Sequence, residues 1–181
     1  MRYESKSMAY SGVEFQIHSP SEFQAQPTAE TPQAGRRLDF QQLQTLFNLT
    51  AFWAQNRPIS DLQRAVAHSQ PVVSAWRGDR LVGFARATSD GVYRATIWDV
   101  IVHPDFQGSG IGRKLVETVL THPHMAHVER VYLMTTHKQR FYEQVGFQVN
   151  PTTTMVLHNS LVALPLTAEF EELLEAPVEQ R

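Results

Sequence analysis

Three glycines at alternate positions, Gly108, Gly110 and Gly112, follow Gln107 shortly after an apolar run, Thr96-Ile97-Trp98-Asp99-Val100-Ile101-Val102, that stops at His103-Pro104. A strand that ends at a proline and passes through such glycines into a helix is suited to holding a phosphate. Glycine lets the backbone approach an anion closely, and the first turn of a helix leaves N–H groups unpaired and pointing at the charge. Spacing disfavours two common phosphate loops. A P-loop ends in Gly-Lys-Ser/Thr, whereas Gly112 is followed by Arg113-Lys114-Leu115. A dinucleotide fingerprint needs Gly-x-Gly-x-x-Gly, and Arg113 stands where its third glycine belongs.

The apolar run carries one carboxylate, Asp99, in its middle. An acid among apolar residues is expensive to bury unless it meets a partner or faces a cavity, so Asp99 is either hydrogen-bonded to loop N–H groups or works at a site. Strict strand parity turns Trp98 and Asp99 to opposite faces unless a bulge intervenes.

A second block lies downstream. Val131-Tyr132-Leu133-Met134 reads as a strand, and Gln139-Arg140-Phe141-Tyr142-Glu143-Gln144-Val145-Gly146-Phe147 reads as a helix returning to extended chain. Gln107-x-x-Gly110-x-Gly112 and Phe141-Tyr142-x-x-x-Gly146-Phe147, in this order, resemble the paired motifs of the GNAT acetyltransferase superfamily. The wider runs Ala85 to Asp90 and Ala95 to Val100 are similar to plastid and cyanobacterial acetyltransferases, a group that includes enzymes acetylating serotonin and enzymes acetylating protein lysines and N-termini. The resemblance covers roughly residues 60 to 158.

The resemblance implies an α/β GNAT fold: a mixed, mostly antiparallel sheet, splayed at its central strands and flanked by helices. It implies acetyl-CoA as co-substrate, with pantetheine lying along the exposed strand edge at Val100, Ile101 and Val102 and the pyrophosphate held by Gln107, Gly108, Ser109, Gly110, Ile111 and Gly112, with Arg113 and Lys114 in reach of the phosphates. Tyr142 matches the tyrosine that gives a proton to the departing thiolate. A backbone N–H near Val100 to Val102 is the expected oxyanion donor. At one position the chain departs from the pattern: many relatives place Asn or Asp seven residues before the tyrosine, where this chain has Thr135.

Acetyl transfer to an amine sets two chemical demands. An alkylammonium of pKa roughly 10.4 must lose its proton, which costs about 4.6 kcal/mol at pH 7. The carbonyl oxygen then becomes an oxyanion and the thiolate needs a proton. Asp99 is the candidate base, or the group that captures the ammonium. Trp98 and Trp53 are candidate walls for the acceptor, with Phe47 and Phe52 placed on the same first long helix as Trp53. His137, just before the second-block helix, could relay a proton but suits capping better. A primary amine, arylalkyl or on a protein, is the expected acceptor. A non-catalytic acyl-CoA sensor or interaction module is the alternative, and a misread nucleotide-binding domain is a third.

Composition agrees with a soluble enzyme. The 181 residues suit one domain, and 42% apolar with 19% charged residues describes an ordinary globule. A net charge of -2 gives no polyanion-binding signature, so nucleic acid is not an expected partner. There is no cysteine, so no thiol can carry an acetyl group, and direct transfer in a ternary complex is expected. His122, His124 and His127 surround Pro123 in a pattern that suits a solvated turn, and no metal site is expected. No apolar signal core or membrane-length run is visible, which predicts a cytoplasmic chain with a short polar start of bacterial type. A homodimer is left open.

The elements that must position these residues can be read in outline. Residues 1–35 are expected to be a partly ordered segment with a first strand at Val13 to Ile17 and a Pro/Gln/Ala/Thr loop from Pro20 to Gly35. Residues 36–160 are, by the resemblance, expected to form the GNAT domain. Asp39 caps a helix, Asp61 to His68 forms a second that ends before Pro71, and three strands follow, Val72 to Trp76, Leu81 to Ala87 and Tyr93 to Val102, joined by Gly78-Asp79 and Asp90-Gly91 turns. Then come a helix at Gly112 to Leu120, a strand at Val131 to Thr135, a helix at Gln139 to Val145 and an extended segment at Phe147 to His158. Residues 161–181 are a tail with a short acidic helix at Thr167 to Glu175.

Overall fold

The computed structural model describes residues 11–24, 35–150 and 155. Five strands form one sheet in the order β1-β2-β3-β4-β5: β1 (Val13–His18), β2 (Val72–Arg77), β3 (Arg80–Ser89), β4 (Arg94–Val102) and β5 (Arg130–Tyr132). The first four pair antiparallel, as tight turns at Gly78 and Gly91 allow, and β5 joins β4 in parallel. Helices α2 (Phe40–Thr50) and α3 (Ile59–Ala67) lie on one face, and α4 (Ile111–Thr121) on the other. The remaining elements are α1 (Ser21–Gln24), a 3-10 turn at Pro104–Phe106 and α5 (Gln139–Glu143).

Each face of the sheet has its own core. Leu43, Leu46 and Phe47 from α2 and Leu62 and Val66 from α3 pack with Phe84 and Ile101. On the other face Ile111, Leu115, Val116 and Val119 from α4 pack with Ala85, Ala87 and Ile97. Here small strand residues set the distance. A Cβ on Gly83 would lie 3.1 Å from both Ile111 and Leu115, so glycine lets α4 close onto β3 and brings its N-terminus to the end of β4.

Local chemistry explains the element starts. Asp39 accepts hydrogen bonds from the Gln41 and Gln42 N–H groups at 2.9 and 3.0 Å and starts α2. The stretch expected to be a loop from Pro20 begins instead as a helical turn. Ser19-Pro20-Ser21-Glu22 is a capping box, in which the Ser19 N–H donates to Glu22 at 2.9 Å. β5 is shorter than expected, and residues 147–150 hold no regular structure. Residues 1–10 of the expected partly ordered segment, most of the Pro20–Gly35 loop, most of the extended segment to His158 and the acidic tail helix lie outside the described residues. Among the described residues, no helix is long and apolar enough to cross a membrane.

Candidate active site

β4 is held on one edge along its length and on the other for only a third of it. Its pairing with β5 runs from Arg94↔Arg130 through Ala95↔Val131 to Thr96↔Tyr132 and stops, although β4 continues to Val102. From Ile97 to Val102, the edge turned away from β3 therefore has no strand partner among the described residues. An extended molecule laid there finds the backbone groups that an added strand would use. Val100, Ile101 and Val102, the residues expected to lie along pantetheine, are on this stretch.

The glycine loop closes the far end. Gly108 and Gly110 take φ of 75° and 91°, in the left-handed region, and Gly110 is the N-cap of α4 with no side chain to satisfy the helix donors. The first intrahelical bond runs from the Lys114 N–H to the Gly110 carbonyl at 3.0 Å, so the N–H groups before it face outward at the positive end of the helix. The Gln107 amide donates to the Val102 carbonyl at 3.0 Å and ties the loop back to β4. Ser109 donates to the Phe106 carbonyl at 2.5 Å. A Cβ on Gly108 would meet nothing within 4 Å, which leaves open space over the loop. Arg113 is engaged by Glu117 at 2.7 Å, while half-buried Lys114 forms no ion pair with any described residue. These residues fit a pyrophosphate: the N–H groups of a helix start, a helix dipole and a nearby ammonium.

The two sequence blocks meet in space. A Cβ on Gly112 would sit 3.5 Å from the Phe141 ring and 3.6 Å from Val102, so α5 packs directly on the start of α4. Tyr142 beside it is held edge-to-face between Phe141 and Phe147, with centroids 4.8 and 5.9 Å away. Its hydroxyl bonds to no described residue, and burial pushes its pKa above the ordinary value of 10.0. The phenol is consequently protonated at neutral pH and free to donate. Thr135 accepts from the Lys138 N–H at 3.2 Å and so is used to shape the turn before α5. His137 is exposed.

The bulge that parity left open is present. Phe84 pairs with Ile101 and Arg86 with Trp98, so Ala85 alone faces both Asp99 and Val100, and Asp99 takes the left-handed φ of 54°. Arg86 Nε donates to Asp99 Oδ2 at 2.6 Å, and the Arg86 guanidinium also lies 5.8 Å from the centre of the Trp98 ring. Trp98 and Asp99 are thus on the same side of the sheet. The buried acid owes its place to a counter-charge, not to loop N–H groups. A second guanidinium, Arg57 after α2, stands 3.7 Å from Asp99 Oδ1. Trp98 is further held by its indole N–H, which donates to Thr88 at 2.8 Å.

The aromatic residues after α2 separate. Phe47 is buried against Phe84 and belongs to the core. Phe52 and Trp53 are not on the helix, which ends at Thr50; they form an edge-to-face pair in the following loop, 68% and 54% exposed. Sequence reasoning missed Arg57 and Arg86. Arg86 had a signal, since it interrupts an apolar strand as Asp99 interrupts the next, and opposite charges in neighbouring strands invite pairing. Arg57 had none.

A family model described as Acetyltransferase (GNAT) family matches residues 40–147. A protein named uncharacterized N-acetyltransferase ycf52-like, from Prochlorococcus marinus, is 38% identical over 121 residues, covering 64% of this chain and 66% of its own. Rice serotonin N-acetyltransferase 2, chloroplastic, is 37% identical over 98 residues, covering 50% of this chain and 48% of its own. A crystal structure of a GNAT-family protein from Xanthomonas campestris superposes with a TM-score of 0.63 at 24% identity, covering 83% of this chain and 98% of that one, and shows the shared fold. The chain spans about half to two thirds of the length of the curated relatives it matches.

Proposed function

The chain belongs to the GNAT acetyltransferase family, and on that premise we propose that it is an acetyl-CoA-dependent N-acetyltransferase acting on a primary amine by direct transfer. The observation that carries this reading is the open edge of β4 from Ile97 to Val102, which runs into a helix N-terminus capped by left-handed Gly110. That edge would hold pantetheine as an added strand, and the loop donors and Lys114 would hold the pyrophosphate. Acetyl-CoA supplies the thioester carbonyl.

The protein's own groups divide the remaining work. A β4 backbone N–H beyond the bulge stabilises the oxyanion, as donors aimed at developing charge do. Tyr142 gives its proton to the departing sulfur; the amine releases one proton, so the balance closes once the phenol is recharged through solvent. Helix α4 and its core fill one face of the sheet, so the amine approaches from the face that carries Trp98, Asp99 and the loop after α2. In this reading Asp99, with its oxygens turned to two guanidinium groups, positions the bulge rather than taking the proton. Trp98 and the exposed Phe52–Trp53 pair offer apolar surface to the acceptor. The chemistry fits a small arylalkylamine and a protein amine alike.

Calorimetric titration with acetyl-CoA tests the proposal. Wild type binds it and, given an amine, releases free CoA. Gly110→Trp weakens binding by about 100-fold, because a bulky side chain at a left-handed φ blocks the loop and costs the backbone roughly 1–2 kcal/mol. No binding by wild type sinks the proposal.

A further inference from the structure

We infer that Arg57 makes the site select acceptor amines that carry a carboxylate on the same molecule. The inference rests on the N-acetyltransferase reading and adds the acceptor class to it. Three charges stand together on the acceptor face, and two of them balance. Arg86 is tightly paired with Asp99 at 2.6 Å, gives a further hydrogen bond to Ser69 at 3.0 Å, and has a side chain only 14% exposed. Asp99 is 7% exposed. Arg57 is the surplus cation. At 3.7 Å from Asp99 Oδ1 it is beyond hydrogen-bond distance, its side chain is 38% exposed, and its guanidinium donates to no described residue. The exposed part of the guanidinium consequently keeps N–H donors that a ligand can reach.

Arg57 is also held ready. Its carbonyl accepts from the Gln44 side chain at 2.8 Å, and the neighbouring Asn56 N–H donates to Asn48 at 2.8 Å, so two α2 residues fix the backbone on both sides. Its guanidinium rests 5.5 Å above the Phe47 ring, which is buried in the core. A planar, pre-set fork matches a carboxylate with two parallel hydrogen bonds. Asp61, four positions on in the sequence, pairs with Arg64 at 2.6 Å, and Asp99 is the acid that ion-pairs with Arg57 among the described residues. A plain ammonium therefore approaches a site with one positive charge in excess. An amine that brings its own carboxylate meets that charge favourably and leaves its nitrogen beside the open edge of β4.

The shared chemistry, amine plus carboxylate, occurs in free amino acids and in acidic peptide N-termini, and the acceptors distinguish them. One pair is phenylalanine against 2-phenylethylamine; the other is the amidated peptide Gly-Glu-Phe against Gly-Gln-Phe. CoA release gives kcat/KM for each. In wild type the carboxylate-bearing member of at least one pair wins by about tenfold, the scale of a charge-assisted hydrogen bond. Arg57→Gln brings that ratio towards one, Arg57→Glu inverts it, and Arg57→Lys keeps a reduced preference. Melting temperature and acetyl-CoA affinity confirm that each variant is folded. Inversion is the readout that a structural role for Arg57 would not produce. Equal or better transfer to the uncharged members, a ratio unmoved by Arg57→Glu, or no transfer to any of the four by protein that binds acetyl-CoA overturns the inference. Transfer without discrimination leaves the acetyltransferase reading standing, whereas failure to bind acetyl-CoA removes that reading itself.

Discussion

The glycine loop follows the end of the open stretch of β4, the Arg57–Asp99–Arg86 cluster sits within that stretch, and the two are built in different ways. In the loop the proposed phosphate contacts come chiefly from the backbone: residues 107–112 are contiguous, and Gly108 and Gly110 take left-handed φ at the start of α4. In the cluster, three charged side chains come from the loop after α2, from β3 and from the β4 bulge, separated by 29 positions between Arg57 and Arg86. The first is a local property of the chain. The second exists only once the sheet has formed, and it supports the sheet in return, so damage to the two regions should separate into lost cofactor affinity and lost stability.

The sharpest way to break that contrast is Asp99→Asn. Asparagine tolerates the left-handed φ as well as aspartate does, so the backbone is kept and only the charge is lost. Arg86 is then left partly buried without its counter-ion, and urea unfolding should show a loss of about 3 kcal/mol. Acetyl-CoA affinity should change little. A variant as stable as wild type would mean that the cluster does not hold the bulge.

Tyr142→Phe acts near the loop end and should do the reverse. Its ring contacts with Phe141 and Phe147 survive, so stability is retained, while kcat falls roughly 100-fold for loss of a general acid. Because burial raises the phenol's pKa above its ordinary 10.0, any loss of wild-type activity from its ionisation should set in at a higher pH than for a solvent-exposed tyrosine. Unchanged kcat in the phenylalanine variant would remove Tyr142 from the reaction.

The smallest effect is expected at a third polar cluster, which has no open donors. The Trp76 indole N–H donates to Ser74 Oγ at 2.7 Å, Ser74 lies 2.7 Å from His18 Nε2, and His18 Nδ1 lies 3.2 Å from Glu22. An ionised Glu22 can only accept, so Nδ1 carries the hydrogen towards it; Nε2 of the neutral ring then accepts from the Ser74 hydroxyl, whose oxygen accepts from the Trp76 indole. Burial outweighs Glu22 and lowers the His18 pKa below its ordinary 6.5. The unfolded chain therefore binds the extra proton first: the contribution of neutral His18 is full above about pH 6.5 and declines as the pH falls towards the folded pKa. His18→Asn should destabilise at pH 7.5 by an amount that shrinks as the solution is acidified, with kcat/KM unaltered. A cost independent of pH would show that His18 does not titrate in this way.

The same division governs what could be read in the residues alone. Alternation and turn glycines made the three-stranded meander legible, and Asp39 and the glycine loop marked helix starts, because each of these is decided within a few positions of backbone. The α1 capping box was equally local and was passed over beside Pro20. Asp99 was visibly anomalous, but whether it met loop donors, a cavity or a cation depended on the β3–β4 register, and that register contains a bulge. Phe52 and Trp53 continued the helical pattern by type, yet α2 ends at Thr50 and leaves them exposed.

By itself, then, the sequence determined the parts whose physics is short-range: the strand that runs into a glycine-capped helix, the tyrosine on the helix after the second strand, and the family they resemble. Tertiary structure alone decided where β4 and β5 part, that Trp98 and Asp99 share a face, and that Arg57 arrives beside them as a second, partly exposed cation. Charges far apart in sequence acquire a relationship only when packing brings them within a few ångströms, where burial makes each one depend on the others.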